Sequence, residues 1–507
     1  MTHDKTIDRR SFLQQIATVA GTGHLAPRLL VAAGSAGAAA AAQAQTDAGN
    51  RAPAVVTGAA GQTRRLAEYA SSLRYENIPP DVIQRAKDTI ADTVATIMFG
   101  GELPWSKMIA AYAKRNGPGG KSRILGVRDA LVHAPSAALA NGALAHAFEL
   151  DNLTQPNSGS HPGATMLSSA LAVAQEQGFD GRDLITAIVA GAEVMIRIGV
   201  ATKHSNEEHG FHAPGTTGPF GAAVATGRLM QLDAEKMTNA IGIAASLAGG
   251  LLEFAKSGTG AMVKRLHLGR AAESGVLAAS LAAEGFTGPV TAIEGEFGFL
   301  RVFCRDFDMD ALTRGLGESY ATRTIMMKRY ACHITAHTPV DSTLELRGAN
   351  GFKPEDVASI SITGTERMVR VNNIPAPKDL MMAQYSIPFC VALALYRNPV
   401  DPRSFDETAV RNPEILGLAS RVKMSVALPP DNRADLTSTV SITLKDGRTF
   451  TRRATAFKGT PERPFSQDEL REKFLLLTRQ YGEADMTRVF LRLQNLESEK
   501  SLDWVGA

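Results

Sequence analysis

Cysteine is scarce, with three residues, Cys304, Cys332 and Cys390, in a chain of 507. So few and so widely spaced, they build neither a disulfide framework nor a zinc site, and they lack the close pair of a cluster-binding motif. Cys332 and Cys390 stand among apolar residues and read as small core side chains. An excess of charge is lacking too: 54 Lys and Arg face 51 Asp and Glu. No basic stripe interleaves with aromatics, so nucleic acid is not an expected partner. Neither G-x-S-x-G nor G-x-G-x-x-G occurs. The segment from Gly117 to Ser122 ends like a phosphate-binding loop, but Arg115 stands where that motif needs glycine, so it reads as a turn. Beyond the first 44 residues, no stretch reads as long and apolar enough to cross a membrane.

Hydrophobic residues make up 44% and charged residues 21%, an ordinary globular balance with ample length for a large core. The N-terminus reads as an address. Arg9-Arg10 precede a weakly apolar stretch diluted by Gly and Ala, and Ala42-Gln43-Ala44 offers small residues for cleavage. This is the pattern of a twin-arginine (Tat) export signal over residues 1–44. It predicts a protein folded before export by the Tat machinery, periplasmic, with no stable membrane insertion after cleavage. Residues 45–62, polar and rich in Gly and Ala, read as a linker.

From residue 63 to 322 the pattern is helical. Val82, Ala86, Ile90, Val94 and Ile97 follow helical spacing behind Pro79-Pro80, and Asp180 with Asp183 forms a capping-box start. Ala-rich stretches at 217–232, 234–252 and 270–284 predict further close-packed helices. Between 323 and 462 strands enter: 357–363 alternates, as do 439–445 and 448–453 on either side of Asp446-Gly447, a two-residue type I′ hairpin signal. The tail, 463–507, returns to helical spacing. The expected fold is mainly α, a large all-helical domain with a smaller α+β lid domain and C-terminal helices returning to the helical part.

After the export signal nine histidines remain, all between His133 and His337. They concentrate in short Gly- or Pro-marked segments together with lysine and arginine. Loops carrying His and Lys on a helical scaffold suit proton chemistry on anionic substrates. Pro162 fits the first position of a helix, which sets His161 against the positive end of the helix dipole, a good setting for a base. His204, His209 and His212 with Glu207 and Glu208 match no standard zinc spacing, so no metal is expected.

In order, the segment from Asn141 through His146 and Glu149 to Asp151-Asn152, followed by Ser160-His161-Pro162-Gly163, resembles a signature of the MmgE/PrpD family. Gly210-Phe211-His212, Gly218 to Gly221 (read as a turn), Lys264 to His267, Glu284 to Pro289 and Gln384 to Pro388 are similar to its later blocks. The family includes 2-methylcitrate dehydratase, cis-aconitate decarboxylase and iminodisuccinate epimerase. The resemblance implies a homodimer with its active site between the two domains and no metal, cluster or other cofactor. Glu149, His161, His212, Lys264, Lys328, His333 and Tyr385 match the family's active-site positions. Two positions depart from it: Glu149 stands where Asp is usual, and Asn152 replaces the second of paired aspartates.

The expected activity is that of a cofactor-independent lyase on a citrate-like polycarboxylate, by loss of water as in 2-methylcitrate dehydratase. Proton removal beside a carboxylate piles charge on an anionic group, so cations must meet it. Lys264, as a catalytic residue, and Lys328 would clamp carboxylates. His161 or His212 would be the base, with the other or Tyr385 the acid. Glu149 would orient an imidazole, and His333, His267 and Asp151 would complete the substrate contacts. Decarboxylation or epimerisation in the same site, an inactive periplasmic polycarboxylate-binding protein, and a metallohydrolase built on the 204–212 histidines are the alternatives.

Overall fold

The computed structural model describes residues 61–155, 158–255, 261–427 and 436–506. The expected export signal and all but the last two residues of the expected linker lie outside them. Helix α1 (Pro80–Gly100) begins where its paired prolines predict and buries Val82, Ala86, Ile90, Val94 and Ile97 along one face. Helix α2 (Ala134–Ala145) leads into the Glu149–Asp151 loop. Pro162 opens the next helical segment, which runs through a wide π turn over Gly163–Leu167 into α3 (Ser168–Gln177). Such wide turns cluster near functional sites.

Helix α4 (Gly181–Ala201) starts at the expected capping box, the Asp180 carboxylate accepting the N–H of Arg182 and Asp183 at 2.9 and 3.0 Å. It corrects one expectation: by length and composition it is apolar enough to cross a membrane. Of its apolar window 94% is buried within the protein, as befits a core helix that is hydrophobic all round.

Three helix boundaries also differ from expectation. Helix α5 (Ala213–Leu229) starts early and runs straight through Pro219, so Gly218 to Gly221 is helix and not a turn. Proline denies the carbonyl four residues back its usual donor. That carbonyl, on Gly215, accepts the N–H of Gly249 at 3.3 Å, which repairs the loss. Helix α6 (Ala234–Ser246) stops short, leaving Leu252–Ala255 as a 3-10 turn. Helix α7 (Val263–Ala283) begins early enough to hold Lys264 in its first turn. Small residues let α2 and α7 touch backbone to backbone: a Cβ on Gly269 would come within 2.3 Å of the Leu139 carbonyl oxygen.

The segment read as a failed phosphate loop is a strand, β1 (Pro118–Arg123), paired antiparallel with β2 (Leu131–Val132). The main sheet takes the order β4-β3-β5-β6, from β3 (Val357–Gly364), β4 (Val422–Val426), β5 (Ser438–Leu444) and β6 (Thr449–Ala454). Only β3–β4 is parallel. Ile360, Ile362, Val440 and Ile442 are buried, and helix α8 (His337–Asn350) packs against β5 and β6. The hairpin is not type I′. The Leu444 N–H donates to the Arg448 carbonyl at 2.8 Å, so the connection is the three residues 445–447, and there only Gly447 takes a positive φ, 90°. Type I′ needs two such residues, whereas one left-handed glycine after a tight turn suits a three-residue loop. Helices α9 (Gln467–Thr478) and α10 (Glu483–Gln494) pack back on α1, where Lys473 pairs with buried Asp92. The chain is mainly α with one small α+β region, as the sequence implies.

Candidate active site

A cavity of about 530 Å³ opens where the α2–α3 loop, the first turn of α7 and the segments after residue 322 converge. Glu149, His161, His212 and Lys264 line it from the helical part, and Lys328, His333 and Tyr385 from the later part. Seven residues expected from sequence therefore share one space. Asp151 and His267 do not line it: Asp151 lies behind His161 with no exposed surface, and His267 lies behind His212.

Asp151 organises the imidazoles. Its carboxylate meets His161 Nδ1 at 2.6 Å and His146 Nδ1 at 3.0 Å. Burial works to raise its pKa, but the two imidazoles outweigh it and hold the carboxyl well below the ordinary aspartate range. With the protons on Nδ1, His161 turns its bare Nε2 toward the cavity, the tautomer a base requires. His146 Nε2 is buried with no partner among the described residues, and burial keeps this ring neutral. His146, Asp151 and His161 also bring their ligand atoms within 4.8 Å of one another, a gathering that these hydrogen bonds account for.

Glu149 does something other than the expected orientation of an imidazole. Its two oxygens go to two lysines, one to Lys264 Nζ and the other to Lys328 Nζ at 2.9 Å. All three side chains are buried. Burial, with Lys328 and Arg265 nearby, drives the Lys264 amine well below the usual lysine value, and Glu149 is the carboxylate it pairs with. Glu149 sits at φ 57°, a left-handed conformation costly for a side-chain-bearing residue. That turn is what aims its carboxylate away from Asp151, two residues on.

His212 Nδ1 lies 3.1 Å from His267 Nδ1, so one donates and the other accepts. Burial and the neighbouring His267 push His212 down to about 3, and burial with Lys264 pushes His267 to about 4. Both are neutral at neutral pH. Tyr385 packs its ring 4.8 Å from His333 and under Lys264 Nζ at 5.3 Å. Burial raises its phenol, which therefore keeps its proton and can donate it.

Of the 204–212 set, His204, Glu207, Glu208 and His212 line the cavity, but among the described residues they do not gather as metal ligands. His204 and Glu207 both bind Arg367, at 2.8 and 2.6 Å, and His212 faces His267. Arg367 and Arg370 line the cavity from the helix Glu366–Asn372, and no motif in the sequence singles them out. His146 was visible only as a letter of the signature. Its role depends on a turn that brings residues five apart onto one carboxylate. Asn152, the second departure, faces away from the cavity. It donates to Asp92 and Thr93 at 3.0 and 2.8 Å and accepts the N–H of Gly163 at 2.8 Å.

The family model described as MmgE/PrpD N-terminal domain matches residues 64–312, and the MmgE/PrpD C-terminal domain matches 330–496. The chain belongs to the MmgE/PrpD family. It is 29% identical over 426 residues to a human cis-aconitate decarboxylase, covering 81% of this chain and 86% of that one. A cis-aconitate decarboxylase of Aspergillus terreus is 29% identical over 442 residues, covering 82% and 89%. That of Mus musculus is 28% identical over 428 residues, covering 81% and 86%.

Proposed function

We propose that this protein is a cofactor-independent lyase acting on a citrate-like polycarboxylate. The observation that carries the reading is one cavity holding a carboxylate-oriented imidazole, His161, opposite two buried lysines and a protonated phenol. The relatives named cis-aconitate decarboxylase support loss of carbon dioxide; dehydration of a β-hydroxy acid, the sequence expectation, uses the same groups. In decarboxylation the carbon–carboxylate bond breaks and its electron pair passes toward a second carboxylate held by Lys264 and Lys328. Tyr385, whose phenol keeps its proton, then returns that proton to carbon. In dehydration His161 Nε2 removes the proton beside the carboxylate, and Tyr385 protonates the departing hydroxyl.

The test is the mature chain offered cis-aconitate, citrate and 2-methylcitrate, with product mass and released carbon dioxide followed together. Carbon dioxide release selects decarboxylation, and a mass loss of one water selects dehydration. Binding of these acids without turnover selects the inactive binding protein.

Location and assembly extend the same proposal. Arg9-Arg10 and Ala42-Gln43-Ala44 support Tat export to the periplasm, and cell fractionation with N-terminal sequencing tests it. Among the described residues, eight of fourteen exposed large apolar side chains fall between residues 251 and 302, Phe297 being 86% exposed. That concentration supports a homodimer through this part of the chain, read out by light scattering.

A further inference from the structure

Charge and shape in the cavity narrow the substrate, given the lyase reading above. Five cationic side chains line it: Lys203, Lys264, Lys328, Arg367 and Arg370. Four acidic ones face them: Glu149, Glu207, Glu208 and Glu366. The cations are largely spent. Lys264 and Lys328 share Glu149, Arg367 holds Glu207, and Lys203 pairs with Asp306. Only Arg370, at the exposed rim, has no acidic partner among the described residues. Three substrate carboxylates would therefore enter a cavity with a single cationic excess.

Glu149 is the decisive group. Its two oxygens already occupy both buried amines, as a bound carboxylate would. A substrate that displaced it would leave a buried, unpaired carboxylate, a costly arrangement. The rest of the lining described is apolar in large part, with Leu153, Leu252, Phe254, Ile334 and Val371. At about 530 Å³ the cavity also exceeds the bulk of a six-carbon acid.

We infer that the cognate substrate is a dicarboxylate carrying an apolar alkyl or aryl arm where a citrate-like acid has its third carboxylate. One carboxylate takes remaining N–H donors of Lys264 and Lys328 beside Glu149, without displacing it, the other meets the Arg370 rim, and the arm lies against Leu252 and Phe254.

A matched pair of inert acids tests this: tricarballylate, with three carboxylates, and 2-benzylsuccinate, in which a phenyl ring replaces one of them. Calorimetry on the full chain near neutral pH should give at least tenfold tighter binding of benzylsuccinate. Glu149→Gln keeps the shape, frees both amines and should tighten tricarballylate at least tenfold. Leu252→Asn should weaken benzylsuccinate alone. Tighter tricarballylate binding by the unaltered chain overturns the inference. So does an unchanged ratio in a folded Glu149→Gln; if that variant does not fold, the unaltered chain and Leu252→Asn decide. Turnover of cis-aconitate or citrate with no preference for benzylsuccinate sinks the inference and leaves the lyase reading intact. Neither binding nor turnover of any acid sinks both.

Discussion

The Asp151 carboxylate holds His161 Nδ1 at 2.6 Å and, by doing so, fixes which nitrogen of that ring faces the cavity. An amide in its place carries no negative charge and sets an NH2 donor against His146 Nδ1, or against His161 Nδ1 when it is flipped. Asp151→Asn should lower kcat by roughly 10²- to 10⁴-fold with little change in KM, as expected when a base is held in the wrong tautomer. Steady-state kinetics on the folded variant check this; an unchanged kcat removes His161 from the chemistry.

Glu149, Lys264 and Lys328 form a buried cluster in which each lysine holds one oxygen of the shared carboxylate. Lys328→Met strips one partner and should cost about 3–5 kcal/mol of stability, because the remaining charge is left undercompensated. Pairing Lys328→Met with Glu149→Gln should recover part of that loss. Urea unfolding of the two single variants and the double variant measures the coupling; simple additivity would dissolve the cluster as an energetic unit.

Acid should destabilise the fold through His212 and His267. Their folded pKa values, about 3 and about 4, lie below the ordinary 6.5, so between these limits the unfolded chain binds protons that the folded one refuses. Stability then rises with pH. It is fully present above about 6.5 and lost as pH falls toward 4 and then 3. The slope is about 1.4 kcal/mol per pH unit for His212, and smaller for the less buried His267, which solvent screens. Unfolding midpoints at pH 7, 6 and 5 should fall in that order, and His212→Gln should flatten the trend.

Arg367 ties the helix Glu366–Asn372 to His204 and Glu207 across the cavity mouth. Lys203 and His204 are both held at positive φ, 49° and 64°, so the loop carries strain that this contact offsets. Arg367→Ala should leave the fold intact and reduce kcat/KM by about 10- to 100-fold through a looser cavity. Equal kcat/KM in the variant and the parent would reduce Arg367 to a surface ion pair.

Asn152→Asp restores the family's usual residue and should nevertheless harm this protein. The new carboxylate would meet buried Asp92, 3.0 Å from the present amide nitrogen, whose pKa burial already raises. A loss of about 1–3 kcal/mol is expected from thermal unfolding, with catalysis little changed because the side chain lies away from the cavity. Adding Asp92→Asn should relieve it.

Much of this protein was legible as a string. Helical spacing marked α1, the Asp180–Asp183 pair marked the start of α4, and alternation marked β3, β5 and β6, because each pattern repeats within a few residues even where, as for β3, the pairing partners lie far along the chain. Seven cavity residues were found because the family signature preserves their order. The run through Pro219 was not legible, since the donor that rescues the Gly215 carbonyl comes from Gly249 on a distant segment. Arg367 was equally silent: one arginine among many becomes a cavity group only when its helix meets the loop after α4.

The sequence by itself determined the family, the mainly helical fold and the inventory of imidazoles, lysines and carboxylates. The tertiary structure alone decided which carboxylate does which job. Glu149 and Asp151 are two residues apart and chemically alike. A left-handed φ at Glu149 sends one to the lysines while the other stays behind the histidines, and burial on every side makes each pairing obligatory.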